Sequence, residues 1–123
     1  MTMFAALAYA ALTTPAIFVQ CALAAGAPWG ALTLGGAWPG QLPARMRPVA
    51  VLQAVLLGCM VVAVLSQGQV ITLNVPRWGY PAAMVLTVLT LLSNSFTPSK
   101  PERRLWMPIT AGMLVTGLLT GLG

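Results

Sequence analysis

The chain has no histidine and a single acidic residue, Glu102. Zinc and calcium sites draw their ligands from His, Cys, Asp and Glu, so a protein-derived metal site lacks its donors and a metalloenzyme is not expected. Cysteine is nearly as scarce. Cys21 and Cys59 have no CxxC spacing and no neighbouring base to favour a thiolate, so they read as buried, inert thiols rather than a redox pair. Charge of either sign is rare: 6% of 123 residues, against 59% hydrophobic. That balance leaves no soluble domain to assign, and nothing in it points to nucleic acid.

Four long apolar segments fill the space that charge has vacated. The expected fold is an all-α membrane protein, a four-transmembrane-helix bundle in one domain over residues 1–123. Its helices are expected at about Met3 to Ala24, Val49 to Ile71, Pro81 to Phe96, and Leu105 to the end. At about 1.5 Å rise per residue, such lengths approach the ~30 Å hydrocarbon thickness. The small-x-small triplet Ala22-Leu23-Ala24 has the form of a signal-peptide cleavage site. A positive n-region is missing and the apolar stretch is long, so a retained helix is expected.

Turn chemistry marks the boundaries. The first loop, from Gly26-Ala27-Pro28-Trp29-Gly30 through Gly35-Gly36-Ala37-Trp38-Pro39-Gly40 to Pro43 and Pro48, is too rich in Gly and Pro for a helix and reads as ordered loop. Pro81 suits a helical first turn, where its missing N–H is not needed. Ser99 and Glu102 have the S-x-x-E spacing of a capping box, in which each side chain accepts from the other's backbone N–H, and predict the start of the fourth helix. Pro15 and Pro108 fall inside helices, freeing the carbonyls of Ala11 and Arg104 and predicting kinks. Thr13 and Thr14 lie near the first of these carbonyls and are candidate partners for it.

The basic residues set an expected orientation. Loops one and three carry Arg45, Arg47, Lys100, Arg103 and Arg104, and loop two carries Arg77 alone. The positive-inside rule then places loops one and three in the cytoplasm and both termini outside. Trp78 and Tyr80 would anchor the outer interface, and Trp29, Trp38 and Trp106 the inner one. On the fourth helix, Gly112, Thr116 and Thr120 form a small-residue stripe beside Gly117 and Gly121, suited to close contact with another helix of the chain or with a second copy.

Candidate sites are few. Thr87, Thr90 and Asn94 fall at i, i+3 and i+7 on one face of the third helix, either as a polar path or as hydrogen-bond partners of neighbouring helices. At the basic end Arg45, Arg47, Arg103, Arg104 and Trp29 suggest binding of anionic lipid head groups, or a defined site for a phosphate or carboxylate. Glu102 in such a pocket has the chemistry of a general acid or base, but helix capping accounts for it more simply. No cofactor is expected.

The loop residues also carry a resemblance. Gly26-Ala27-Pro28-Trp29-Gly30, Gly35-Gly36, Gly40, Leu42-Pro43 and Arg45 or Arg47, followed by Asn94, Thr97-Pro98-Ser99, Glu102-Arg103, Trp106 and Pro108, are similar to the pattern of a widespread family of small, uncharacterised bacterial integral membrane proteins. The resemblance spans almost the whole chain. It implies four helices and the bacterial inner membrane, and it brings no established activity, so no functional residue is carried over. By size and helix number the chain also suggests the small multidrug resistance transporters. Their membrane-embedded first-helix glutamate has only Gln20 here to stand for it, so cation antiport lacks its central group. The dual-topology fluoride channels differ in having nearly unbiased loop charge. Three classes remain: first, a non-enzymatic accessory or lipid-binding membrane subunit, in a larger complex or a homo-oligomer. The alternatives are a transporter or channel for a neutral or anionic solute, and an enzyme acting on a lipid head group.

Overall fold

A computed structural model describes residues 2–33, 36–38 and 40–122. Gly35 and Pro39 of the first-loop motif lie outside the described residues. The architecture is an all-α bundle of four helices: α1 (Thr2–Ala24), α2 (Arg47–Gln67), α3 (Gly79–Phe96) and α4 (Lys100–Gly121). Short 3-10 turns at Gly30–Leu32 and Ala44–Met46 interrupt the first loop. By length and composition, α1, the stretch Ala44–Gln67 and α3 are apolar enough to cross a membrane. α4 falls outside that group, since its first turns hold Lys100, Glu102, Arg103 and Arg104.

Two helix boundaries differ from the sequence expectation by more than two residues. α2 stops at Gln67 rather than Ile71, because the Gly68 N–H closes the last turn on the Val64 carbonyl and Gln69 takes a left-handed φ of 61°. The apolar run through Val70 and Ile71 hides that turn. α4 begins at Lys100 rather than Leu105, capped by Ser99 with Pro101 in its first positions. An apolar run cannot register charged helical turns. Both α1 and α4 continue through their internal prolines. The Thr13 and Thr14 hydroxyls donate to the Tyr9 and Ala10 carbonyls, at 2.7 and 2.8 Å, and not to the carbonyl of Ala11.

The helices form a ring in which α1 packs chiefly on α2 and α4, and α3 on α4 and, less extensively, α2. The exterior is apolar, unlike that of a water-soluble bundle, and the interior admits several polar side chains. Phe4, Leu52 and Phe96 are exposed, the last at 80%, while Thr13, Thr87, Thr110 and Thr120 are buried inside. An apolar exterior this extensive suits lipid, which imposes no hydrophobic driving force between helices and leaves small-residue packing and hydrogen bonds to join them. The glycines of α4 serve that purpose within the chain: Gly112 faces Leu12, Gly117 faces Met84 and Tyr9, and Gly121 faces Tyr80. Cys21 and Cys59 are exposed rather than buried, because they lie on the outward, apolar face of their helices.

Two cores hold the ends. The first gathers Ala6, Tyr9, Met60, Ala63, Val64, Ala83, Met84 and Met113 around the start of α1. The second gathers Val19, Leu23, Leu42, Ala50 and Trp106 at the basic end. Across the first, the Tyr9 hydroxyl meets Thr87 Oγ1 at 2.8 Å, and Thr87 in turn donates to the Ala83 carbonyl at 2.7 Å. With its own proton spent on Ala83, Thr87 accepts from Tyr9. A double-mutant cycle of Tyr9→Phe and Thr87→Val in thermal unfolding should return a coupling of about 0.6 kcal/mol, the usual worth of an interhelical hydrogen bond in a membrane. Strict additivity would show that the bond contributes nothing.

Candidate functional site

Between the two cores the bundle encloses a cavity of about 430 Å³. Every helix contributes polar groups to it: Gln20 from α1, Gln53 from α2, Thr90, Ser93 and Asn94 from α3, and Glu102 and Thr110 from α4. Leu32 and Thr33 of the first loop complete the wall at the basic end. The cavity is not sealed on its flank. Leu56 of α2 and Leu89 of α3 line it and are 42% and 55% exposed, and Ser93 is exposed beside them. The mouth therefore opens sideways between α2 and α3. Towards the opposite end Met60 and Met113, both members of the first core, close it.

The first loop forms one wall because α4 and α1 hold it at three points. Ser99 Oγ donates to the Ala31 carbonyl at 2.6 Å, Trp106 Nε1 to the Leu32 carbonyl at 2.6 Å, and Gln20 Nε2 reaches Thr33 Oγ1 at 3.4 Å. Gly36 sits against Ser99, where an added Cβ would lie 3.0 Å from the serine Cβ. Residues of the two loop motifs thus meet in space. Trp106, placed at the inner interface by sequence reasoning, is instead buried in the second core, while Trp38 packs half-buried against it. Trp29 remains exposed, its ring 6.1 Å from that of Phe18.

At the start of α4 Ser99 Oγ accepts from the Glu102 N–H at 3.4 Å, and the Ser99 N–H donates to Thr97 Oγ1 at 3.3 Å. The Glu102 side chain, 4% exposed, lies on the cavity. The arginines named from sequence do not line it. Arg47 Nε donates to the Leu42 carbonyl at 3.3 Å and Arg103 to the Thr97 carbonyl at 3.1 Å, so both tie down loop backbone. Arg45, Lys100 and Arg104 are exposed around the same end. The polar face of α3 divides in a similar way: Thr90 and Asn94 line the cavity, whereas Thr87 is buried on Tyr9 outside it.

Gln20, Gln53 and Ser93 belong to the lining although periodicity on one helix did not select them. Their signal was the rarity of amides and hydroxyls at membrane depth. Fold and cavity together define a helical-bundle membrane protein with a largely apolar cavity that carries polar groups from all four helices. Comparison with protein families, with curated proteins and with solved structures finds no match.

Proposed function

We propose that the protein is a non-enzymatic, lipid-binding element of the bacterial inner membrane, which admits a polar lipid head group sideways between α2 and α3. The observation that carries this reading is a largely apolar cavity, with polar groups from every helix, whose mouth, at Leu56, Leu89 and Ser93, faces the flank of the bundle where lipid would lie. Its volume falls within the range of small-molecule sites. Exposed Arg45, Lys100 and Arg104 would hold that end against an anionic membrane surface, at about 1 kcal/mol per basic residue. Orientation follows from the same charges: loops one and three in the cytoplasm, both termini outside, and α4 crossing with the other three helices. Reporter fusions to the C-terminus are expected to be active only for a reporter that works outside the cytoplasm; cytoplasmic activity would reverse the orientation.

Native mass spectrometry of the gently extracted protein is expected to retain one phospholipid per chain. Replacing Gln53 and Asn94 together by leucine should weaken lipid binding about thirtyfold, since each lost polar contact is worth roughly 1 kcal/mol. A wild-type protein carrying no lipid would sink the lipid reading. Solute transport is the second reading, and the polar lining favours it. It requires a route past Met60, Met113 and the Tyr9–Thr87 bond, all of which close the other half of the bundle. Solute flux in proteoliposomes that Asn94→Ala abolishes would replace lipid binding with transport.

A further inference from the structure

The side chains that frame the mouth of the cavity differ from those at its back. On α4 Thr110 Oγ1 gives its proton to the Trp106 carbonyl at 2.7 Å, and on α1 Gln20 Nε2 reaches Thr33 Oγ1 at 3.4 Å. Gln53 of α2 and Ser93 and Asn94 of α3 line the cavity as well, and no side-chain hydrogen bond joins them to another described residue. Neighbouring Thr90 keeps acceptor lone pairs, its proton being spent on the Leu86 carbonyl at 2.7 Å. Depth brings these four groups together. α2 starts and α3 ends at the basic end, so at about 1.5 Å per residue Gln53 and Thr90 each lie about 9 Å inward, and Asn94 lies one turn nearer the end on the face of Thr90. Deeper along the same two helices, at about 15 to 20 Å, the lining is Leu57, Met60 and Leu86. A polar shelf beside the mouth thus stands above an apolar floor. Amides and hydroxyls at that depth are costly to leave unpaired, and hydrocarbon supplies no partner.

We propose that this shelf binds a vicinal diol, brought in as the glycerol head group of a phosphatidylglycerol-type lipid, with Gln53 and Asn94 as its principal hydrogen-bond partners. This rests on the lipid-binding reading above and specifies the head group. Each amide presents N–H donors and a carbonyl acceptor, the Ser93 hydroxyl does both, and each hydroxyl of the diol likewise donates and accepts. A diol is also uncharged, so it enters a largely apolar cavity without the desolvation cost of an ion. The lipid phosphate meets no lysine or arginine among the described residues of the lining and stays at the basic end. Arg45 just before α2 and Lys100 just after α3 are exposed there, next to the two helices that frame the mouth. An ethanolamine head group brings an ammonium that only donates, which leaves the amide N–H groups unpaired. A bare phosphatidate brings nothing to the shelf.

The test offers the full-length protein an equimolar mixture of phosphatidylglycerol, phosphatidylethanolamine and phosphatidic acid with matched acyl chains in nanodiscs, and reads the retained lipid by native mass spectrometry. Phosphatidylglycerol is expected to exceed each competitor by about tenfold, the factor that one to two net hydrogen bonds supply. Phosphatidic acid is the decisive competitor, since it carries the phosphate charge without the diol. Gln53→Met and Asn94→Leu should each lower the preference over phosphatidic acid about fivefold, one net hydrogen bond, and leave the retention of phosphatidic acid itself unchanged. The two substitutions lie on different helices, so either carries the test if the other does not fold. Either competitor retained as well as phosphatidylglycerol would overturn the diol site and leave lipid binding standing. With no lipid retained, the deacylated head group glycerophosphoglycerol separates the two readings. A thermal shift that Gln53→Met abolishes would keep the diol site and remove the lipid as its source, and no shift would overturn both. A preference or a shift that survives both variants would overturn the assigned amides.

Discussion

Gly30→Ala is expected to unfold the first loop from the bundle and to cost about 3 kcal/mol or more, at the upper end of overpacking effects. Gly30 is buried, its N–H donates to the Gly40 carbonyl at 2.8 Å, and a methyl group at its Cα would run into the Trp38 carbonyl. The obstruction is backbone, so no rotamer change relieves it. Gly117 provides the contrast. A Cβ there would meet the thioether end of Met84, 2.6 Å from Cε and 2.8 Å from Sδ, and a flexible side chain can swing aside. Gly117→Ala should accordingly cost about 1 kcal/mol or less, a modest overpacking penalty. Thermal unfolding in detergent, with trypsin cleavage after Arg45 as the loop-specific readout, separates the two. A Gly30→Ala protein that melts and resists trypsin like wild type would show that the loop does not return beneath Trp38 as described.

Trp106→Ala is expected to cost about 3–5 kcal/mol, the range for truncating a large buried aromatic side chain. Trp106 is 6% exposed, packs with Val19, Leu23, Leu42 and Ala50, and joins α4 to the Leu32 carbonyl. Its removal opens the cavity towards the second core and releases the loop wall together. Trp106→Phe keeps most of the packing and leaves the Leu32 carbonyl without its indole donor, for a smaller loss of about 1–3 kcal/mol. The pair therefore apportions packing and hydrogen bonding. Equal losses in the two variants would assign the effect to the hydrogen bond, and a wild-type melting curve for Trp106→Ala would remove Trp106 from the core. Since Leu32 and Thr33 line the cavity, lipid retention should fall in step with loop release.

Much of the bundle was legible in local features. Helix existence follows from apolar runs long enough to cross a bilayer, and the start of α4 from the Ser99–Glu102 spacing. Apolar runs taken alone misplaced two ends: they start α4 at Leu105, where only the capping pair reaches back to Lys100, and they carry α2 past Gln67 into the apolar residues that follow. The candidate site was legible only in pieces. Thr90 and Asn94 were selected by helical period and do reach the cavity, but Thr87, on the same calculated face, is taken by Tyr9. Arg47 and Arg103, read from sequence as anion-binding, each hold a loop carbonyl, a contact that no local pattern announces.

Sequence by itself determined the helices, the segregation of basic residues to two loops and the capping serine, because each depends on neighbours a few positions apart. Tertiary structure alone decided that Glu102 turns into a chamber, that Gln20, Gln53 and Asn94 meet there, and that the first loop walls it. Those placements depend on how each helix is rotated about its axis and on where a glycine-rich loop returns to the bundle. In an apolar bundle a few hydrogen bonds and close glycine contacts set both, and they join residues as far apart as Ala31 and Ser99 or Tyr9 and Thr87.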